Sequence, residues 1–104
     1  MVSDEQITDI VRRIVEAVEP LRIILFGSTA RGEEGPFSDV DVLVVVNEGM
    51  HRRKSAQLIY RRLQGVGIAV DVVVATPSDL EQYRDSPGLI YRQAIREGKE
   101  LYAA

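Results

Sequence analysis

The sequence predicts an α/β (α+β) protein in which helices pack on one small β-sheet. Short runs of β-branched and apolar residues recur along the chain, amphipathic helical patterns lie between them, and Gly or Pro separates the segments. Alternating strands and helices are typical of a layered fold. With 104 residues, we expect a single domain over residues 1–104 with one hydrophobic core.

The first half of the chain predicts one helix and two strands. Ser3 followed by Gln6 is typical of a capping box, and apolar residues at helical spacing predict a helix from about Asp4 to Val18. Leu21–Phe26 is a short apolar run that predicts a buried strand. Residues 40–46 are nearly all valine and leucine, which indicates a strand covered on both faces.

A basic helix is predicted next, over His51–Gln64. Its inner stripe is expected to be apolar, with the arginines on the outside. The predicted inner residues are Ala56, Ile59, Tyr60 and Leu63. A third strand is expected over Ile68–Ala75.

The C-terminal part predicts two more helices. Thr76-Pro77-Ser78-Asp79 combines a Thr cap, Pro at the first helical position and an acid at the third. Ser86-Pro87 repeats the signal for a last helix that ends at Gly98. Leu101-Tyr102 is expected to add a short edge strand.

Composition excludes several classes of function. The chain has no cysteine, which removes disulfides, thiolate metal sites and cysteine nucleophiles. Its net charge of −3 argues against binding to nucleic acid through bulk electrostatics. Neither a signal-peptide pattern nor an apolar run of ~20 residues is present. We therefore expect a cytoplasmic protein with no membrane segment.

Three aspartates form the first candidate site. Asp39 and Asp41 are two residues apart, so in an extended strand they project from the same face, about 7 Å apart. Asp71 joins them if its strand lies alongside in a suitable register. Because its neighbours are Ile, Ala and Val, an unpaired charge at Asp71 would be costly. Converging carboxylates repel one another unless a cation is present, and Mg²⁺ prefers carboxylate and phosphate oxygens.

A small-residue turn supplies the second part of the site. Gly27 and Ser28 follow a predicted strand, and Gly allows the backbone to approach a ligand closely. A helix that began at Ser28 would offer free N–H groups to phosphate oxygens, and Arg31 would reach the same anion. The pattern is not a Walker A loop. Together with the aspartates, it predicts a metal-dependent phosphate site.

Simpler explanations stay open for these residues. An Asp-x-Asp pair commonly caps a strand or a loop, and Gly-Ser after a strand is often only a turn. The carboxylates would then be structural groups, neutralised by Arg31 or by a helix N-terminus.

The order and spacing of these motifs resemble a known signature. Gly27-Ser28, ten intervening residues, Asp39-Val40-Asp41 and a later Asp71 are similar to the DNA polymerase β-type nucleotidyltransferase superfamily. The resemblance covers nearly the whole chain and implies a nucleotidyltransferase, polymerase β palm-like fold with a small mixed sheet.

The C-terminal segments narrow the resemblance to one branch. Thr76-Pro77, residues 94–99 and Leu101-Tyr102 are similar to minimal nucleotidyltransferases (MNT), which are often antitoxin partners of HEPN-domain toxins. The resemblance implies AMP transfer from ATP to a hydroxyl, for which a tyrosine of a HEPN toxin is the favoured acceptor. Since no residues remain for an acceptor domain, a partner chain or a homodimer is expected to complete the site.

The same resemblance implies a role for each site residue. Asp39 and Asp41 would hold two Mg²⁺ ions, and Asp71 would complete the catalytic ion's site and help deprotonate the acceptor. Gly27 and Ser28 would hold the β- and γ-phosphates, assisted by Arg31. The alternative is a binding module that neutralises a toxin by contact with little or no catalysis. The acceptor, the nucleobase and the oligomeric state are not defined by the sequence.

We interpret the other notable residues of the chain as structural rather than catalytic. The basic residues at 52–54 and 61–62 are interpreted as a solvated helix face rather than a patch for an acidic partner or RNA. His51 is expected to be exposed near a helix start, without a catalytic role. Tyr83, Tyr91 and Tyr102 are expected to pack the C-terminal helices, or to anchor a partner chain.

Overall fold

The predicted helices and strands are found wherever the structure describes the chain, whereas the short helix expected at Ser28 lies outside the described residues. The computed structural model describes residues 3–27, 40–83 and 90–104, which form four helices and four strands. In chain order these are α1 (Asp4–Val18), β1 (Arg22–Phe26), β2 (Val40–Val45), α2 (Arg52–Leu63), β3 (Val70–Ala75), α3 (Pro77–Tyr83), α4 (Ile90–Glu97) and β4 (Lys99–Ala103). The strand expected at Leu101-Tyr102 is β4, whereas the helix start expected at Ser86-Pro87 lies outside the described residues.

Local sequence signals explain how α1 and α3 begin. The Ser3 hydroxyl accepts a hydrogen bond from the Gln6 N–H at 3.1 Å, and the Gln6 side chain accepts one from the Ser3 N–H at 2.9 Å. The predicted capping box is therefore confirmed. Thr76 and Asp79 exchange equivalent bonds of 3.3 and 2.9 Å at the start of α3. Both helices begin where short-range chemistry predicts.

The sheet is mixed, with strand order β3-β2-β1-β4. β2 and β3 are parallel and are joined by α2, as a parallel pair requires. β1 is antiparallel to both β2 and β4. As a result, the C-terminal end of β1 lies beside the N-terminal ends of β2 and β3.

Both faces of the sheet are covered, as the valine-rich composition of β2 predicts. Alternate residues of β1 and β2, such as Ile23 and Val42, pack with α1 and α2. The intervening residues, such as Ile24 and Leu43, pack on the opposite face with Ala94 of α4. Asp41 is the one residue of β2 that is not fully buried. No helix among the described residues is long and apolar enough to span a membrane.

The predicted inner stripe of α2 is wrong at Tyr60. The buried residues are Ser55, Ile59 and Leu63, whereas Tyr60 is 43% exposed. Its hydroxyl accepts a 2.8 Å hydrogen bond from the N–H of Val72, on the outer edge of β3. The difference arises because α2 packs against α1 as well as β3, and the helical pattern alone does not reveal this second neighbour.

The C-terminal tyrosines do not all pack together. The rings of Tyr83 and Tyr91 lie 6.3 Å apart between centroids, which links α3 to α4 as expected. Tyr102 instead packs on the α1 side of the sheet. It does so because it lies on β4, in register with Ile23, so that its side chain shares the face of that residue.

Candidate functional site

Two carboxylates meet at one end of the sheet. Asp41 and Asp71 are register partners on the parallel strands β2 and β3. Neighbouring strands are about 4.8 Å apart, and register partners project from the same face. Alternation along β2 places Asp41 on the face of Leu43, which is the face covered by α3 and α4. We call this region, defined by Asp41, Asp71 and Gly27, the carboxylate end of the sheet.

Gly27 joins the carboxylate end from β1. Phe26, the last residue of β1, is the register partner of Asp41, so Gly27 follows directly beside this carboxylate. A Cβ atom at Gly27 would overlap Oδ2 of Asp41. The backbone of Gly27 also has φ +79°, a conformation that favours glycine. Both facts require glycine here, and its backbone lies against the Asp41 carboxylate.

The other predicted site residues are Ser28, Arg31 and Asp39, which lie outside the described residues. Their proposed parts in phosphate and metal binding stay predictions. Across residues 3–27, 40–83 and 90–104, no group of three or more His, Asp or Glu side chains is arranged to hold a metal ion. The described part of the site is therefore a pair of carboxylates beside a glycine.

The burial expected for Asp71 is wrong. Its apolar neighbours in the sequence suggested a costly buried charge, but Asp71 is exposed and Asp41 is the partly buried member of the pair. The reason is that β3 is the edge strand of the sheet and Asp71 lies near its first residue. Asp71 is therefore a candidate site residue because it is in register with Asp41, and not because its charge is buried.

Sequence reasoning also missed the hydrogen bond beside Asp71. Val72 follows Asp71 on the edge strand, and its N–H donates to the hydroxyl of Tyr60. An edge strand presents backbone N–H groups without a strand partner, and this bond satisfies one of them. The sequence offered one sign of this hydrogen bond, which is a tyrosine in the helix that joins the two parallel strands.

An apolar cavity lies elsewhere and is not assigned to the site. It has a volume of about 290 Å³, with Leu21, Val45, Leu80 and Ile95 among the residues that line it. Val45 is the last residue of β2, four residues beyond Asp41, so the cavity lies towards the opposite end of the sheet. No pair of carboxylates lines it. The chemistry-bearing residues are at the carboxylate end instead.

His51 and the basic residues of α2 lie outside the site and are exposed, as the sequence predicted. His51 is the exposed N-cap of α2, where its Nδ1 accepts a 3.2 Å hydrogen bond from the Lys54 N–H. The basic side chains of α2 are exposed, as predicted.

The family of the chain follows from a comparison with known domains. Residues 5–99 match the family model of the nucleotidyltransferase domain. The chain therefore belongs to the nucleotidyltransferase domain family, as the spacing of its glycine and aspartates indicated. No curated relative matches the sequence closely enough to add to this comparison.

Solved structures share the same fold. A protein of Sulfolobus solfataricus described as a nucleotidyltransferase has a TM-score of 0.65 at 20% identity, over 95% of this chain and 78% of that chain. A toxin-antitoxin structure with AMP-PNP has a TM-score of 0.69 at 20% identity, over 93% and 73%. A mutant of the toxin-antitoxin MntA-HpeT has a TM-score of 0.63 at 18% identity, over 99% and 75%. These likenesses confirm the mixed-sheet nucleotidyltransferase fold.

The donor atoms at the carboxylate end fit a hard divalent cation. Carboxylate oxygens on adjacent strands are ligands suited to Mg²⁺, which otherwise keeps water and phosphate oxygens in its coordination shell. The half-exposed position of the pair leaves room for such ligands. At Gly27, the absence of a side chain allows the β1 backbone to lie directly against the Asp41 carboxylate.

Proposed function

We propose that this chain is a Mg²⁺-dependent adenylyltransferase that transfers AMP from ATP to a hydroxyl group. The observation that carries the proposal is the register pairing of Asp41 with Asp71 beside Gly27. Family membership supports nucleotide transfer, and one structure of the same fold was solved with AMP-PNP.

The reaction is an in-line displacement at the α-phosphorus. The acceptor oxygen forms a bond to this phosphorus, the bond to the bridging oxygen breaks, and pyrophosphate leaves. Asp71 receives the acceptor proton, directly or through water, because its carboxylate is exposed and lies beside Asp41. Bound Mg²⁺, with two ions proposed per site, would stabilise negative charge on the attacking and leaving oxygens.

The chain's own residues position the reactants. Asp39 and Asp41 would serve as metal ligands, and Asp71 would complete the set from β3. Gly27 and Ser28 hold the terminal phosphates, and Arg31 assists as a planar donor. Because the protein supplies little covalent chemistry, positioning and charge stabilisation account for the rate enhancement.

The proposed acceptor is a tyrosine of a HEPN-domain toxin, so that transfer makes this chain an antitoxin. Two structures of the same fold are described as toxin-antitoxin structures, which supports a toxin as the partner. The exposed position of Asp71 supports an acceptor that arrives on another protein. Under this proposal the pair works in the cytoplasm, where ATP and the newly made partner are both present.

The central experiment measures transfer of label from [α-³²P]ATP to the product of the adjacent gene. The wild-type chain with Mg²⁺ is expected to label that protein, and chelation of the metal abolishes labelling. Asp41→Asn and Asp71→Asn are each expected to lower the rate by about 100-fold or more. Asp9→Asn removes a carboxylate from α1, which packs on the face of the sheet opposite to Asp41, and is expected to retain the wild-type rate.

A fourth variant uses the geometry of Gly27. Gly27→Ala places a methyl group on the Asp41 carboxylate and strains a backbone at φ +79°, so labelling is expected to be lost. The proposal would be overturned if the wild type failed to label the partner, or if the Asp41 and Asp71 variants labelled it at the wild-type rate. If these variants still neutralised the partner without transfer, the chain would be a binding module.

Nucleotide binding has a separate readout. A ligand that binds only the folded state raises the melting temperature. Addition of Mg²⁺-ATP is expected to raise it for the wild type and for Asp9→Asn, with a smaller rise for Asp41→Asn. No rise for the wild type at millimolar Mg²⁺-ATP would contradict a nucleotide site.

A further inference from the structure

The charges in the first turn of α2 oppose the electrostatics of a helix. Arg52, Arg53 and Lys54 occupy its first turn, and this turn contains no acidic residue. The N-terminal end of a helix carries partial positive charge, so cations there are unfavourable. Arg61 and Arg62 add two more cations in the last turn. The helix therefore has five cations and no acid, in a chain whose net charge is −3.

Contacts among the described residues neutralise only one of these cations. Arg52 pairs with Asp79 at 3.4 Å. The other four side chains have no ion pair with any residue in the described ranges, and all four are exposed. These residues are Arg53, Lys54, Arg61 and Arg62. Arg61 and Arg62 complement the helix dipole from the last turn, but helix stability does not explain the unpaired Arg53 and Lys54 in the first turn.

An apolar residue lies among these cations. Leu58 is 44% exposed, one helical turn from Lys54 and one from Arg61 and Arg62. Residues three and four apart are neighbours on a helix surface, so Leu58 and these cations form one continuous patch. We call Arg53, Lys54, Leu58, Arg61 and Arg62 the α2 outer face.

We propose that the α2 outer face docks an acidic surface of a partner protein. Leu58 supplies an apolar contact and the surrounding cations pair with carboxylates, an arrangement typical of an interface with an apolar centre and a polar rim. The identity of the partner, the toxin that accepts the nucleotide, rests on the proposed function. Docking through α2 leaves the carboxylate end of the sheet available for the acceptor hydroxyl.

The charge and apolar content favour a protein over a nucleic acid. A chain with net charge −3 gains little from long-range attraction to a polyanion. Single-stranded nucleic acid stacks on aromatic side chains, but the patch presents an aliphatic residue. Tyr60, the aromatic residue of α2, has its hydroxyl engaged by the edge of β3.

The main test is the double variant Arg53→Glu and Lys54→Glu. Acids in the first turn complement the helix dipole, so the melting temperature is expected to stay equal or rise. Affinity for the product of the adjacent gene, measured by calorimetry, is expected to fall about 30-fold or more because like charges then meet. Loss of binding cannot be attributed to unfolding in a variant that is at least as stable as the wild type.

A matched control carries the same change in net charge. Arg96→Glu with Lys99→Glu reverses two exposed cations outside α2, and its affinity is expected to stay within about threefold of the wild type. Leu58→Ala is expected to weaken binding by about fivefold. Wild-type affinity is also expected to fall with added salt, since the contacts are charged and partly exposed.

The outcomes separate docking from catalysis. The docking proposal is overturned if the wild type does not bind the adjacent gene product, or if the α2 variant binds it as tightly as the wild type does. Tight binding of a 20-nucleotide single-stranded RNA that the variant loses would also overturn it. In the α2 variant, the rise in melting temperature with Mg²⁺-ATP is expected to equal that of the wild type. Binding without transfer would refute the proposed reaction and leave the docking surface intact.

Discussion

The helices α1 and α2 lie side by side on one face of the sheet, yet they are stabilised in different ways. α1 has a capping box, two acids in its first turn, and ion pairs that join residues three or four apart. α2 has a histidine cap and three cations in its first turn. Short-range interactions therefore stabilise α1, whereas α2 depends on contacts with distant segments.

Two long-range contacts illustrate this dependence. The guanidinium of Arg13 in α1 donates 2.9 Å hydrogen bonds to the carbonyl oxygens of Arg62 and Gln64 at the C-terminal end of α2. Tyr60 is bonded to the edge of β3. The comparison teaches that the cations in the first turn of α2 do not serve helix stability, which supports a role for them in binding.

The largest expected effect comes from removing the Arg13 cap. Arg13→Met keeps an aliphatic chain but leaves two terminal carbonyl groups of α2 without their donor, so we expect a loss of about 2 kcal/mol in the free energy of unfolding. Urea denaturation measures this loss. Arg12→Met, which breaks only exposed pairs within α1, is the control and is expected to cost about 0.5 kcal/mol. Equal losses would refute the contrast between the two helices.

A smaller effect is expected from the bond between α2 and β3. Tyr60→Phe removes the acceptor for the Val72 N–H, and we expect a loss of about 1 kcal/mol in the free energy of unfolding. Hydrogen exchange at the Val72 amide should become faster. Tyr102→Phe serves as the control because its hydroxyl has no hydrogen bond to the described part of the chain. Unchanged exchange at Val72 would mean that this bond does not protect the edge strand.

A better N-cap should stabilise α2 through short-range interactions, as the capping box stabilises α1. His51→Asp introduces a preferred N-cap residue and a negative charge beside the three cations, so we expect a gain of about 0.5 kcal/mol in stability. Ser3→Ala makes the opposite change in α1 and is expected to cost about 1 kcal/mol. Thermal unfolding of both variants measures the expected gain and the expected loss of stability. A loss of stability in the His51 variant would show that its cap is already optimal.

The smallest effect concerns pH. Hydrogen bonds from Arg12 and then Arg13 hold the pKa of Asp9 below its ordinary value of 3.8. A carboxyl group whose pKa is lower in the folded state stabilises the fold above its unfolded pKa, and loses this contribution as the pH falls through the folded pKa. Wild type should therefore exceed Asp9→Asn in stability at pH 7, and this difference should shrink below about pH 4. A difference that stayed constant down to pH 2 would contradict the assignment.

The parts of the fold that the sequence predicted depend on short-range chemistry. The capping box at Ser3, the corresponding box at Thr76 and the β-branched run of β2 each specify structure within a few residues. The family was also foreseeable, because its signature is a spacing of glycine and aspartate along the chain. The roles predicted for Ser28, Arg31 and Asp39 remain predictions because these residues lie outside the described ranges.

The errors arose where a neighbour came from a distant segment. Tyr60 was expected to be buried, but its surroundings depend on how α2 lies between α1 and the edge of β3. Asp71 was expected to carry a desolvation cost, but an edge strand leaves it exposed. The helical and strand patterns report which residues share a face, but they do not report what covers that face.

The sequence by itself determined the order of the described helices and strands, the caps of α1 and α3, and the residues offered for chemistry. Only the tertiary structure decided that Asp41 and Asp71 are register partners, that Gly27 lies against the Asp41 carboxylate, and that the cations of α2 remain largely unpaired. The physical reason is that caps and strand runs use neighbouring residues. Register and surface pairing instead depend on residues that are far apart in the sequence. Gly27 is 14 residues from Asp41, and Asp71 is 30 residues from it. Burial of the valine-rich core brings these segments together.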